Sequence, residues 1–136
     1  MNKEFIPYEE ALALKELGFD EPCLGCYDEK AVFGLTVMSI KQYYTNSKED
    51  TWNCSAPTYQ QAFRWFREKY NIQGYIYSST VRGNVEKTKQ FTGYIWNING
   101  IDMPFLSTDA RDELHDTYEE AESACLDKLI EIVKNK

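Results

Sequence analysis

Residues 57–70 read Pro57-Thr58-Tyr59-Gln60-Gln61-Ala62-Phe63-Arg64-Trp65-Phe66-Arg67-Glu68-Lys69-Tyr70. Tyr59, Ala62, Phe63, Phe66 and Tyr70 recur at i, i+3, i+4, i+7 and i+11, one face of a 3.6-residue period. Four of the five are aromatic, and each ring removes roughly 150–250 Å² from water when buried. A helix with so heavy a stripe must lie on a sheet or on another helix. Thr58 and Gln61 form a capping box at its start, with the Thr58 hydroxyl as acceptor for an unpaired helix N–H. The period places Arg64 and Glu68 opposite the stripe and Trp65 well off it.

Outward from that helix the chain divides into short elements. Pro7 suits the first turn of a helix carrying Tyr8, Ala11, Leu12, Leu14 and Leu17, which Gly18 stops. Phe19 then stands where the residue after such a glycine packs back on the helix. A strand over 23–27 and another over 31–38 flank the Asp28-Glu29-Lys30 turn. Residues 41–54 have no clean period and read as a long polar loop with three aromatics, Tyr43, Tyr44 and Trp52; loops of that length often carry function.

After Tyr70 the period changes to two. Strands are expected over 74–82 and 88–98, joined by a turn at Gly83-Asn84. Asn99-Gly100 predicts a type I′ hairpin, since both residues tolerate positive φ. A two-residue loop there pairs Ile98 with Ile101, Trp96 with Met103 and Tyr94 with Phe105, all apolar and on one face. Pro104 marks the last strand as an edge. A second capping box, Thr117 to Glu120, opens a final helix with Ala121, Cys125, Leu129 and Ile132 along its stripe. The expected fold is α+β, in one domain over residues 1–136: an antiparallel sheet of about five strands with three helices, in the order αββαβββα.

Composition narrows the function. The chain has 136 residues, 43% hydrophobic and 15% aromatic, enough for a core without staples. No apolar run reaches membrane-spanning length and the first residues lack an apolar signal segment, so a cytoplasmic location with reduced cysteines is expected. The net charge of −7, from 22 acidic and 15 basic side chains, disfavours generic nucleic-acid binding. The acidic run of Asp109, Asp112, Glu113, Asp116, Glu119, Glu120 and Glu122 reads as a solvated face, with a basic partner as the sharper alternative. The succession helix, three strands, helix from Pro57 onward has the order of a double-stranded-RNA-binding domain. The last helix, however, starts Thr117-Tyr118-Glu119-Glu120 where that fold needs cations.

Catalytic and metal motifs are sparse. Cys23 and Cys26 have the C-x-x-C spacing, but a structural zinc site wants a second close pair. His115 is the sole histidine, and no nucleophile elbow, P-loop or dinucleotide fingerprint is present. No metal ligand set and no cofactor is therefore assigned, and no catalytic residue. The expected site is a binding surface: Trp65 as an interface anchor, Arg64, Arg67 and Lys69 as grips for an anion, and Tyr43, Tyr44 and Trp52 from the aromatic loop. Covering of Trp65 by the 41–54 loop and solvated cations are the plainer alternatives. The expected partner is a host protein or a small anionic, nucleotide-like ligand. A small hydrolase using His115 and carboxylates, and a self-associating protein or homodimer joined through Trp65, are the other classes to weigh.

Pro7-Tyr8-Glu9-Glu10-Ala11-Leu12, Leu17-Gly18-Phe19, Ala56-Pro57, Ala62-Phe63-Arg64-Trp65-Phe66-Arg67 and Tyr118-Glu119-Glu120-Ala121 together resemble a group of small proteins encoded by phages and mobile elements of Bacteroides-type gut bacteria. The resemblance covers both ends and the central helix, and not 32–52 or 74–105. It implies a context rather than a set of site residues. Small phage proteins outside the virion are often accessory factors that bind host molecules, some sequestering nucleotide signals of bacterial immunity and others blocking a host protein.

Overall fold

The computed structural model describes residues 2–35, 43–47, 52–82, 90–100, 103–107 and 114–136. Their order is α1 (Tyr8–Glu16), β1 (Gly25–Tyr27), β2 (Phe33–Leu35), β3 (Cys54–Ala56), α2 (Tyr59–Tyr70), β4 (Ile72–Arg82), β5 (Gln90–Gly100), β6 (Met103–Ser107) and α3 (Tyr118–Lys134). The class is α+β with three α-helices, as expected. The strands, however, form two antiparallel sheets of three, β2-β1-β3 and β4-β5-β6. The division follows from an unexpected strand that begins at the last residue of the aromatic loop. Cys54–Ala56 pairs with Gly25–Tyr27 and captures the first hairpin in a sheet of its own.

Each helix ends as its residues dictate. The Thr58 hydroxyl accepts from Gln61 N–H at 3.2 Å and the Thr117 hydroxyl from Glu120 N–H at 3.1 Å. At the end of α1, Gly18 adopts φ +96°, Phe19 N–H donates to Leu14 C=O at 2.9 Å and Gly18 N–H to Lys15 C=O at 3.0 Å. That pair of bonds is the Schellman closure the glycine allows. Asn71, in the left-handed region at φ 55°, links α2 directly to β4.

The buried side of α2 consists of Tyr59, Ala62, Trp65 and Phe66, while Phe63 and Tyr70 are half-buried. The helix is therefore turned from the expected stripe toward Trp65. The cause is Phe19, which meets the Trp65 ring edge-on at 5.3 Å and, with Phe66 and Tyr70, encloses the indole. Buried residues from α1, β1, β3, α2, β4, β5 and α3 join in one core, including Leu14, Cys54, Phe66, Ile72, Ile98 and Leu129. Gly74 lies where α3 crosses β4: a Cβ there would stand 2.7 Å from Cys125 Sγ and 3.2 Å from Leu129 Cδ1.

The reversal after β5 is not at Asn99-Gly100. Those residues pair with Gln73 and Ile72 of β4, and neither has positive φ. Because β4 holds β5 to its end, the chain turns after Gly100, which pairs with Met103, and a bulge then brings Ile98 opposite Leu106. The expected pairs Trp96–Met103 and Tyr94–Phe105 do not form. Tyr94 instead exchanges two backbone hydrogen bonds of 2.9 Å with His115. The expected strand end at 36–38, the Gly83-Asn84 turn, Ile101 and the acidic positions 109–113 lie outside the described residues, as do the side chains of Met103, Pro104 and Phe105.

Candidate functional site

Asn71 sends the chain from α2 into β4 with a single linking residue, so the two elements diverge from one corner. Between them lies a crevice of about 720 Å³, within the range of small-ligand sites. One wall is the outer side of α2, where Gln60, Phe63, Arg64 and Arg67 recur at i, i+3, i+4 and i+7. The other is β4 from Gln73 to Ile76, with the ring of Tyr75. Leu24 and Tyr43 close it from the side of the first sheet, Phe5 beside the start of α2, and Tyr118 from the first turn of α3. Phe5 is fixed there by a backbone bridge to Thr58 and a 4.9 Å ring contact with Phe33.

The charge of the lining is unlike that of the chain. Among the described residues, Arg64 and Arg67 line the crevice and no carboxylate does, in a protein of net charge −7. Arg64 is half-exposed and 3.5 Å from Glu21, a weak surface ion pair. Glu21 also accepts from Gln61 Nε2 at 3.5 Å, and that amide donates to Pro22 C=O at 2.9 Å. Arg67 is exposed and has no ion-pair partner among the described residues. Arg64 and Arg67 leave the helix three residues apart, roughly 4.5 Å along its axis. That spacing suits two oxygens of one anionic group or two neighbouring anions.

The other residues expected at a site are dispersed. Trp65 is 6% exposed and belongs to the core, so it lacks the accessible ring an interface anchor needs. Its cover is Phe19 with Lys69, whose ammonium lies 4.9 Å from the indole centroid and 5.5 Å from that of Tyr70. Lys69 is thus committed to a cation–π contact beside Gly18. Tyr44 bridges Cys23 through backbone bonds of 2.8 and 2.9 Å and packs edge-on against Trp52 at 4.8 Å. Trp52 donates to Thr45 C=O at 3.2 Å. Among the described residues of the aromatic loop, only Tyr43 reaches the crevice. Phe63 was hidden from sequence reasoning because its spacing also fits the core stripe. Tyr75 and Tyr118 enter only through tertiary packing.

Cys23, Cys26, Cys54 and Cys125 are all buried thiols. Burial pushes Cys23 and Cys125 up to about 12 and Cys54 to about 11. A redox pair needs the thiolate, which these surroundings disfavour. His115 is held through its backbone at Tyr94, away from the crevice lining. Acids collect elsewhere: Glu4, Glu119 and Glu122 border a cavity of about 220 Å³ with Lys3 and Tyr59. Burial first, then the charges of Glu4 and Glu119, push the Glu122 carboxyl up to about 7. Glu10 is likewise raised by burial and by a hydrogen bond with the Asp127 carboxyl.

No helix among the described residues is long and apolar enough to cross a membrane. No protein-family model, curated protein or solved structure matches the chain.

Proposed function

We propose that this chain is a non-enzymatic binding protein whose recognition site is the crevice between α2 and β4. The observation that carries the reading is the pairing of Arg64 and Arg67 with Phe63, Tyr75 and Tyr118 on a lining that, among the described residues, holds no carboxylate. Arginines supply planar, charge-assisted donors, and the rings supply flat apolar surface. The matching chemistry is an anionic group beside a ring or an apolar side chain, as offered by a nucleotide-like ligand or by an acidic segment of a host protein. A cytoplasmic accessory role in a phage or mobile element, countering a host defence, is the setting we propose for it.

The competing classes gain less support. A hydrolase built on His115 wants that imidazole beside two acids, whereas Glu4, Glu119 and Glu122 border a cavity whose described lining does not include His115. Self-association through Trp65 loses its motive with the ring buried.

Native mass spectrometry of the purified protein incubated with host-cell extract tests the proposal. A bound species that disappears in Arg64→Ala/Arg67→Ala is the expected result. A bound species untouched by that double substitution, or none in extracts from infected and uninfected cells, overturns it.

A further inference from the structure

We infer that the crevice takes its partner as an added β-strand: an extended, acidic peptide segment pairing with the open edge of β4 beneath the arginines of α2. The inference rests on the binding role proposed above and names the class of partner. Among the described residues, β4 has a strand neighbour on one side only, β5, and runs eleven residues without a register shift. Sheet edges are ordinarily guarded by charge, proline or a bulge. Gln73, Gly74, Tyr75 and Ile76, the stretch that lines the crevice, carry none of these.

The dimensions agree with one strand. Four residues of β4 span roughly 13 Å at 3.3 Å each. Gln60 to Arg67 spans roughly 10.5 Å of helix. A segment of about four residues therefore lies against both walls at once. This is the arrangement in which backbone pairing supplies affinity and alternate side chains supply selectivity. The alternation sets the partner's pattern. Side chains on the parity shared with the Tyr75 ring suit apolar residues. Those on the parity of Gly74 and Ile76, the face that carries the helices, reach Arg64 and Arg67 beside Phe63 and suit Asp or Glu. The net charge of −7 repels acidic partners elsewhere, so these two cations also choose where the segment docks. A second copy pairing edge to edge is disfavoured, because it brings two such basic rims together.

The test uses the full chain and a fluorescein-labelled, end-capped hexapeptide alternating glutamate and valine, read by anisotropy. Two further versions are N-methylated on alternate amides, one set in each register, and adenosine triphosphate serves as a competing small anion. The expected result is saturable binding, weakened more than about tenfold by Arg64→Glu/Arg67→Glu and by N-methylation in one register but not the other. Slowed hydrogen exchange at Gln73–Ile76 accompanies it. If both N-methylated peptides bind as well as the parent, strand addition fails while the anion crevice stands. If only adenosine triphosphate binds, with the same dependence on Arg64 and Arg67, strand addition again fails alone. If neither probe binds, or binding ignores the arginines, the inference falls together with the reading beneath it.

Discussion

Trp65 shows how much one aromatic neighbour decides. By helical spacing it sits off the apolar stripe, yet Phe19, Phe66 and Tyr70 surround it at centroid distances of 5.1–5.4 Å. Its removal leaves a cavity in a packed core, so Trp65→Ala is expected to lower the unfolding free energy by about 3–5 kcal/mol in urea titration. Glu122 gives a second test at this scale. Its folded-state value of about 7 lies above the ordinary carboxyl value of 4.5. Between those pH values the unfolded chain has lost the proton and the folded one keeps it, so stability falls as pH rises through this window and levels off above it. Partial exposure to solvent screens the effect, leaving on the order of 1 kcal/mol. Glu122→Gln should flatten that part of the profile of Tm against pH and raise Tm at pH 8. A profile identical to the parent's would show that Glu122 titrates normally.

At the scale of elements, α3 presses on β4 through a position that tolerates no side chain. The space for a Gly74 Cβ is filled by Cys125 Sγ at 2.7 Å and Leu129 Cδ1 at 3.2 Å. Gly74→Ala should therefore cost about 1–3 kcal/mol by overpacking. Adding Cys125→Ala frees the sulfur's volume, and the double substitution should be less damaging than the sum of its parts in a double-mutant cycle. Strict additivity would mean that the helix has moved instead. The cap of α2 is a local test: Thr58→Ala, by removing the acceptor for Gln61 N–H, is expected to cost about 0.5–2 kcal/mol. Elements were also the level at which sequence reasoning was most informative. Helices α1, α2 and α3 were legible because capping, glycine closure and the 3.6 period are local signals. Strand β3 was missed because Cys54–Ala56 is three residues long, too short to show a period, and is a strand only through its pairing with β1.

Over the whole molecule, one continuous core joins the small first sheet to the large second one across the three helices. Far-UV circular dichroism and tryptophan fluorescence should thus report one coincident unfolding transition, since Trp65 and Trp96 lie in that core. All four thiols are buried, three of them at values of about 11–12. The folded protein should then react with a thiol reagent at pH 8 only at the rate of opening, and all four cysteines should react at once in denaturant. Rapid labelling of the native chain would place a thiol at the surface.

The basic crevice was half-legible. Arg64 and Arg67 could be picked out as exposed cations, but the opposite wall depended on how β4 leaves Asn71. What the sequence determined by itself was the set of helices and their caps, because those rest on forces acting within a few residues. Only tertiary structure decided the rest: that the strands divide between two sheets, that β5 stays paired with β4 through Gly100, and that Trp65 is enclosed. Each of these depends on which distant segment supplies the partner. Periodicity tells which way a side chain points, not what meets it.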